Sequence, residues 1–248
     1  MTEAEQEVRR DLAAFYRLAA HFHMTDLVYT HISASLPGTG DHFLVNRYGV
    51  LFERMQASTL VKIDIDGKVI DGTGDAQQDR VNQAGFVIHS AIHRARRDVA
   101  CVVHTHTPAG IAVSAQKPGL LPISQHALRF RDAIAYHDYE GIAVDLDEQR
   151  TLIADLGPHK AMILRNHGLL VAGRTIPEAF TLIYYLEMAC KIQIQALAGG
   201  AELNIPSDAA LARTYAQYNR NGGNLEHYAF LWRSMLPLIE HGDPPYWL

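Results

Sequence analysis

The stretch Cys101–Gly110 reads CVVHTHTPAG, an apolar β-type run that ends on two histidines, His104 and His106. Residues i and i+2 of a strand share a face, so the two rings leave one side, roughly 7 Å apart along the backbone. Buried ring nitrogens need partners. A divalent ion is one such partner, because zinc, iron and manganese accept neutral imidazole and keep open positions for substrate. A third ligand has to come from another segment. His167, in ILRNHGLLVAG, lies at a turn between two apolar strands, flanked by the turn formers Asn166 and Gly168. Hydrogen bonds from the rings to carbonyls are the competing account, and residue types alone leave both open. An ion held only by neutral imidazoles keeps its full charge. It suits an oxygen-chelating hydroxy- or keto-acid and stabilises the enediolate formed when a bond beside a carbonyl breaks.

Other groups carry weaker chemistry. His89 and His93 sit four apart in HSAIH, but Ser90 stands where a zinc-protease motif has its glutamate. That pair reads as a helix face, packing or supporting ligands. Met188 and Cys190 read as core, and Gly72–Gly74 lacks the strand–glycine–helix context of a dinucleotide site.

These residues need elements to hold them. Apolar spacing and a capping pair, Thr2 and Glu5, predict a helix over 2–23. VYTHISASL, HFLVN and LVKIDIDGKVI read as strands joined by turns. NQAGFVIHSAIHRARRD reads as a helix, VACVVHTH as a strand and TPAGIAVSAQ as a short helix. AIAYHDY is strand-like, DEQRTLIADLG helical, and KAMILRN and LLVAG form strands around Asn166–Gly168. Thr175 and Glu178 open a long helix that ends at Gly199–Gly200. Residues 202–224 read as loop or weak helix, and HYAFLWRSMLPLIE as a last amphipathic helix. The expectation is α/β: a single domain over 1–200 with a central, largely antiparallel sheet flanked by helices, and a helical extension, 201–248, packed on it.

The totals narrow the function class. The chain has 248 residues, 48% hydrophobic and 20% charged, enough for a full core. A formal charge of −5 argues against nucleic acid and anionic membranes as partners. The first residues, MTEAEQEVRRDL, lack a signal-peptide core, and Cys101 and Cys190 sit in apolar runs. Both point to a cytoplasmic protein with reduced thiols.

The HTH strand end, followed some sixty residues later by RNHG, resembles the class II aldolase/adducin family. The likeness runs from about residue 8 to 200. NQAGFVIHSAIHRARRDVACVVHTHTPAGIAVSAQKPGLLPIS and AYHDYEGI resemble the adducin head-domain branch most. The resemblance implies an antiparallel sheet between helices and a metal on His104, His106 and His167. It also implies a homotetramer with sites at subunit interfaces. Zinc is the usual ion; iron, manganese and cobalt suit the same ligands. Gly85 stands where the aldolases carry their acid/base glutamate. Thr30-His31 and Gln83-Ala84 replace their phosphate-binding Gly-Asn and Ser-Ser. Typical phosphosugar cleavage is therefore not expected.

Substitutes for the lost groups lie nearby in sequence. His31, Tyr136, His137 and Asp138 are the candidate acid/base residues, and Arg47 and Gln83 the candidate substrate contacts. Three functions follow: a metal-dependent carbon–carbon lyase, aldolase or decarboxylase, on a small unphosphorylated acid; a non-haem iron oxygenase; or a non-catalytic assembly module of the adducin kind.

Overall fold

A computed structural model describes residues 1–39, 41–75, 79–141, 148–220 and 223–248. Helix α1 (Glu3–His21) starts where expected. The Thr2 hydroxyl accepts from the Glu5 amide, and Leu12, Phe15 and Leu18 are fully buried. Strands β1 (His31–Ser35), β2 (His42–Asn46), β3 (Leu60–Asp64) and β4 (Val69–Asp71) follow as a meander. Helix α2 (Gln83–Ala95) leads into β5 (Cys101–Thr105), then α3 (Pro108–Ser114) and the four-residue α4 (Gln125–Leu128). Next come β6 (Ile134–His137), α5 (Glu148–Leu156), β7 (Ala161–Leu164), β8 (Gly168–Gly173) and the long α6 (Ile176–Ala198). Helices α7 (Asp208–Tyr218) and α8 (Leu225–Met235) follow, and a 3₁₀ turn (Leu236–Leu238) succeeds α8. The segment 202–224, read as loop or weak helix, thus contains a three-turn helix, capped by Ser207.

The strands form one eight-stranded sheet in the order β4-β3-β2-β1-β5-β8-β7-β6. Every pairing is antiparallel except β6 with β7. Residue alternation divides the core between the sheet's faces. Ile32, Ala34, Cys101, Val103, Leu169 and Val171 pack toward α1 and α6. Val102, Leu170 and Ala172 pack toward α2 and α5 through Ile88, Ile92 and Leu152. In β1 and β5, His31, Ser33 and His104 share the parity of that second face.

Three devices register the layers. The buried Tyr16 hydroxyl donates to the Ile32 carbonyl and accepts from the Ile32 amide at 2.8 Å, fixing α1 beside the start of β1. Glu178, fully buried, takes Lys160 and Arg174 at 2.8 Å each and the Arg174 amide at 2.7 Å. Its share of the expected capping pair goes to these cations, while Thr175 alone caps α6. Trp232 of α8 packs edge-on to Phe15 and Phe180 and donates to Asp11. Both cysteines are buried free thiols. Among the described residues no helix is long and apolar enough to cross a membrane.

Candidate metal centre

β5 stops at Thr105 because Pro108 has no amide to donate and Thr107 caps α3, its hydroxyl accepting from Gly110. The Thr107 hydroxyl also donates to the buried carboxylate of Glu187 on α6. His106 therefore lies just beyond the strand rather than in it, and its ring swings in toward that of His104. His167 enters from the β7–β8 turn. Asn166 takes the left-handed conformation there, at φ 57°, which asparagine tolerates. Gly168 permits the close approach: a Cβ there would lie 2.3 Å from the Thr105 carbonyl oxygen.

The three Nε2 atoms converge. His104 and His106 are 2.8 Å apart, His106 and His167 3.0 Å, and His104 and His167 3.3 Å. The outer nitrogens fix the tautomers of two rings. His104 Nδ1–H donates to the Leu169 carbonyl at 2.9 Å, and His106 Nδ1–H donates to Asp26 Oδ2 at 3.0 Å. A neutral imidazole carries one proton, so both Nε2 atoms present bare lone pairs to each other. Two facing lone pairs repel unless a cation lies between them. At a zinc–nitrogen distance of about 2.0–2.1 Å, the corners of a tetrahedron stand about 3.3 Å apart, close to the spacings seen here. The residues thus fit a divalent ion, and Leu169 and Asp26 supply the outer bonds that orient such ligands. Burial, then the charges of His167 and His106, keeps His104 well below the ordinary imidazole range. Burial first, and His106 second, lowers His167 to about 4. Both rings are neutral at pH 7, the form that binds metal.

Behind the cup, His31 pairs with His104 across β1 and β5. Its ring lies 5.3 Å from the His104 ring, centre to centre. It occupies the volume that a side chain at position 85 would need. A Cβ on Gly85 would stand 2.4 Å from His31 Cδ2. Burial, then the neighbouring imidazoles, starting with His89, holds His31 well below its usual range. Thr30, just before it, is fully buried and left-handed at φ 71°, a strained conformation for a β-branched residue. Its hydroxyl has no hydrogen-bond partner among the described residues.

The remaining expected residues are spread around this centre. Tyr136 faces the helix layer; its hydroxyl accepts from the Leu120 amide at 3.0 Å, and Arg165 stacks on its ring. His137 is buried and pairs with Asp155 of α5 at 2.8 Å, not with its neighbour Asp138, which is exposed. Arg47 lies 3.6 Å from Asp79, whose carboxylate also accepts from Thr73 and Gly74. Gln83 opens α2, and its side chain lies outside the described residues. Asp26 and Tyr139 were not among the expected residues. Tyr139, half-exposed, stands edge-on 6.4 Å from His167. Asp26 is separated from His106 by eighty residues of chain, and no local pattern marks it.

A three-histidine cup able to hold a metal ion thus lies at the ends of antiparallel strands on a helix-flanked α/β sheet. Residues 10–194 match the family model "Class II Aldolase and Adducin N-terminal domain", and the chain belongs to that family. It is similar to an aldolase II superfamily protein from Pseudomonas syringae, with TM-score 0.93 and 48% identity over 100% of this chain and 98% of that one. It is also similar to an L-fuculose 1-phosphate aldolase from Glaciozyma antarctica PI12, with TM-score 0.83 and 30% identity over 96% and 90% of the two chains. Alpha-adducin from Mus musculus is 48% identical over 197 residues, 79% of this chain but 26% of adducin.

Proposed function

We propose that this protein is a metal-dependent carbon–carbon lyase, an aldolase or decarboxylase, acting on a small unphosphorylated hydroxy- or keto-acid. The observation that carries this reading is the pair of bare Nε2 lone pairs on His104 and His106, aimed with His167 at one point. Zinc is the ion proposed, with iron, manganese or cobalt as alternatives. When bound, the ion supplies Lewis acidity to a chelating hydroxyl or carbonyl and to the enediolate charge that follows bond cleavage.

The chain's own residues do the rest. Asp26 and the Leu169 carbonyl hold two rings in the ligating tautomer. His31, whose Nδ1 is turned to His89, is proposed to take and return the substrate's proton through Nε2, the role left open at Gly85. His137, held by Asp155, and the exposed Asp138 are reserves for proton transfer at the rim, with Tyr139 more exposed to substrate than Tyr136. Arg47 and Gln83 are proposed to meet the substrate's carboxylate. Leu27, 74% exposed, and Tyr29, 47% exposed, follow Asp26 at the rim. Apolar groups there support closure of the cup by a neighbouring subunit, in a cytoplasmic homotetramer.

The test is elemental analysis of protein purified without added metal, followed by an aldehyde- and carbon dioxide-release screen on short hydroxy- and keto-acids. The expected result is one ion per chain, lost in His104→Ala and His167→Ala with the fold largely kept, and turnover that chelation abolishes. Equal metal content in variant and parent would refute the centre. Stoichiometric iron with oxygen uptake would instead favour an oxygenase. Bound metal without turnover would favour the assembly role, which the 48% identity to alpha-adducin supports.

A further inference from the structure

A second set of polar side chains runs behind the cup and is buried with it. His31 Nδ1 lies 2.9 Å from His89 Nε2. His89 Nδ1 lies 2.6 Å from Ser33 Oγ, and Ser33 Oγ lies 2.7 Å from His93 Nε2. All four side chains are at least nine-tenths buried. Their order follows from two periodicities: positions 31 and 33 share one face of β1, and positions 89 and 93 share one face of α2. Strand and helix groups therefore alternate along a single line. Its far end, His93, lines a cavity of about 210 Å³ with Ser35, Asp41, His42 and Arg97, at the opposite end of β1 from the cup.

We propose that His89, Ser33 and His93 form a proton relay that connects His31 to this second cavity, so that His31 can serve as base or acid while every ring remains neutral. The inference rests on the reading of the cup as a catalytic centre with His31 as its proton-transfer group. With one proton per neutral ring, a relay has only two states. In one, His31, His89 and His93 all carry hydrogen on Nδ1, the Ser33 hydroxyl donates to His93, and His31 Nε2 is a base. In the other, all three carry it on Nε2, the hydroxyl donates to His89, and His31 Nε2 is an acid. Passage between them takes up one proton at His31 Nε2 and moves one hydrogen across each of the three links. It releases one proton from His93 Nδ1, a buried nitrogen with no hydrogen-bond partner among the described residues, toward the cavity that His93 lines, and only N–H and O–H bonds change. Burial lowers His93 to about 4, which keeps its ring uncharged at neutral pH.

A purely structural arrangement predicts something else. Ser33 could accept from both rings at once, with His89 protonated on Nδ1 and His93 on Nε2, and no proton could then pass. Long-range ¹⁵N–¹H correlation spectra of the full chain labelled at histidine read each tautomer directly, with single His→Gln variants providing assignments. The expected result is one shared tautomer at positions 31, 89 and 93 in the parent. In Ser33→Ala the His93 tautomer becomes independent of the other two, and Ser33→Thr, which keeps the hydroxyl, restores the match. Opposite tautomers at 89 and 93 in the parent would overturn the relay while leaving the metal centre intact. On any substrate found in the lyase screen, Ser33→Ala lowers kcat tenfold or more at unchanged KM, and Ser33→Thr recovers it. Equal kcat in parent and Ser33→Ala would also overturn it. Absence of turnover with the shared tautomer present would count against the lyase reading alone.

Discussion

Gly85→Ala separates two effects of opposite sign. Position 85 lies inside α2, where replacing glycine by alanine ordinarily stabilises by about 1 kcal/mol through helix propensity. Here the new methyl would stand 2.4 Å from His31 Cδ2 and 2.8 Å from its Nε2. The ring cannot swing clear, because it is 3% exposed and held at Nδ1 by His89. Overpacking of this kind costs about 1–3 kcal/mol, so the clash outweighs the propensity gain and leaves a net loss of about 1 kcal/mol. In a chain of this size that lowers the thermal midpoint by about 2–4 °C. In a His31→Ala background the obstruction is gone, and the same substitution should raise the midpoint by a similar amount. Calorimetry on parent, both single variants and the double variant closes the cycle. If Gly85→Ala moves the midpoint in the same direction in both backgrounds, His31 does not fill the space at position 85.

Three further outcomes follow from the site. Asp26→Asn removes the carboxylate on His106 Nδ1, and metal affinity measured by competition with a chelator should weaken 10–100-fold. Thr30→Gly relieves a left-handed threonine and deletes a buried, unpartnered hydroxyl, so the midpoint should rise, with roughly 1 kcal/mol gained. Folding lowers His93 to about 4 from 6.5. Between those values the unfolded chain binds a proton that the folded chain refuses. The stabilisation from the neutral ring is full above 6.5 and is lost as pH falls toward 4, by up to about 3 kcal/mol. Chemical denaturation across that window should show a shallower acid decline in His93→Gln than in the parent.

Elements with a long period or a strong cap were legible in the sequence. Thr2 and Thr175 cap helices, the apolar alternation marks β1, β2 and β5, and Asn166–Gly168 forms the turn that carries His167. The grouping of His104, His106 and His167 was legible too, because the cup draws on two short motifs. What was not legible depends on contacts between distant segments. The parallel pairing of β6 with β7 leaves no local signature. The four-residue α4 is too short for one. His89 and His93 could be placed on one helix face, but not against Ser33, because the register of α2 over β1 is set by packing. His137 found Asp155 rather than Asp138 for a similar reason: α5 packs over β6, which ends at His137, whereas Asp138 lies beyond the strand and is exposed.

The missing side chain at Gly168 acts as the cup's gauge. Thr105 and Gly168 touch where β5 meets β8, and His104 and His167 are the residues just before each of them. An alanine methyl there would begin 2.3 Å from the Thr105 oxygen and would have to wedge the two strands about 1 Å apart to reach ordinary contact. Ligand distances tolerate about 0.2 Å. A single hydrogen atom in place of a methyl thus sets the bore of the cup, because a methyl that parts these two strands also parts His104 from His167 by more than a set of metal ligands tolerates.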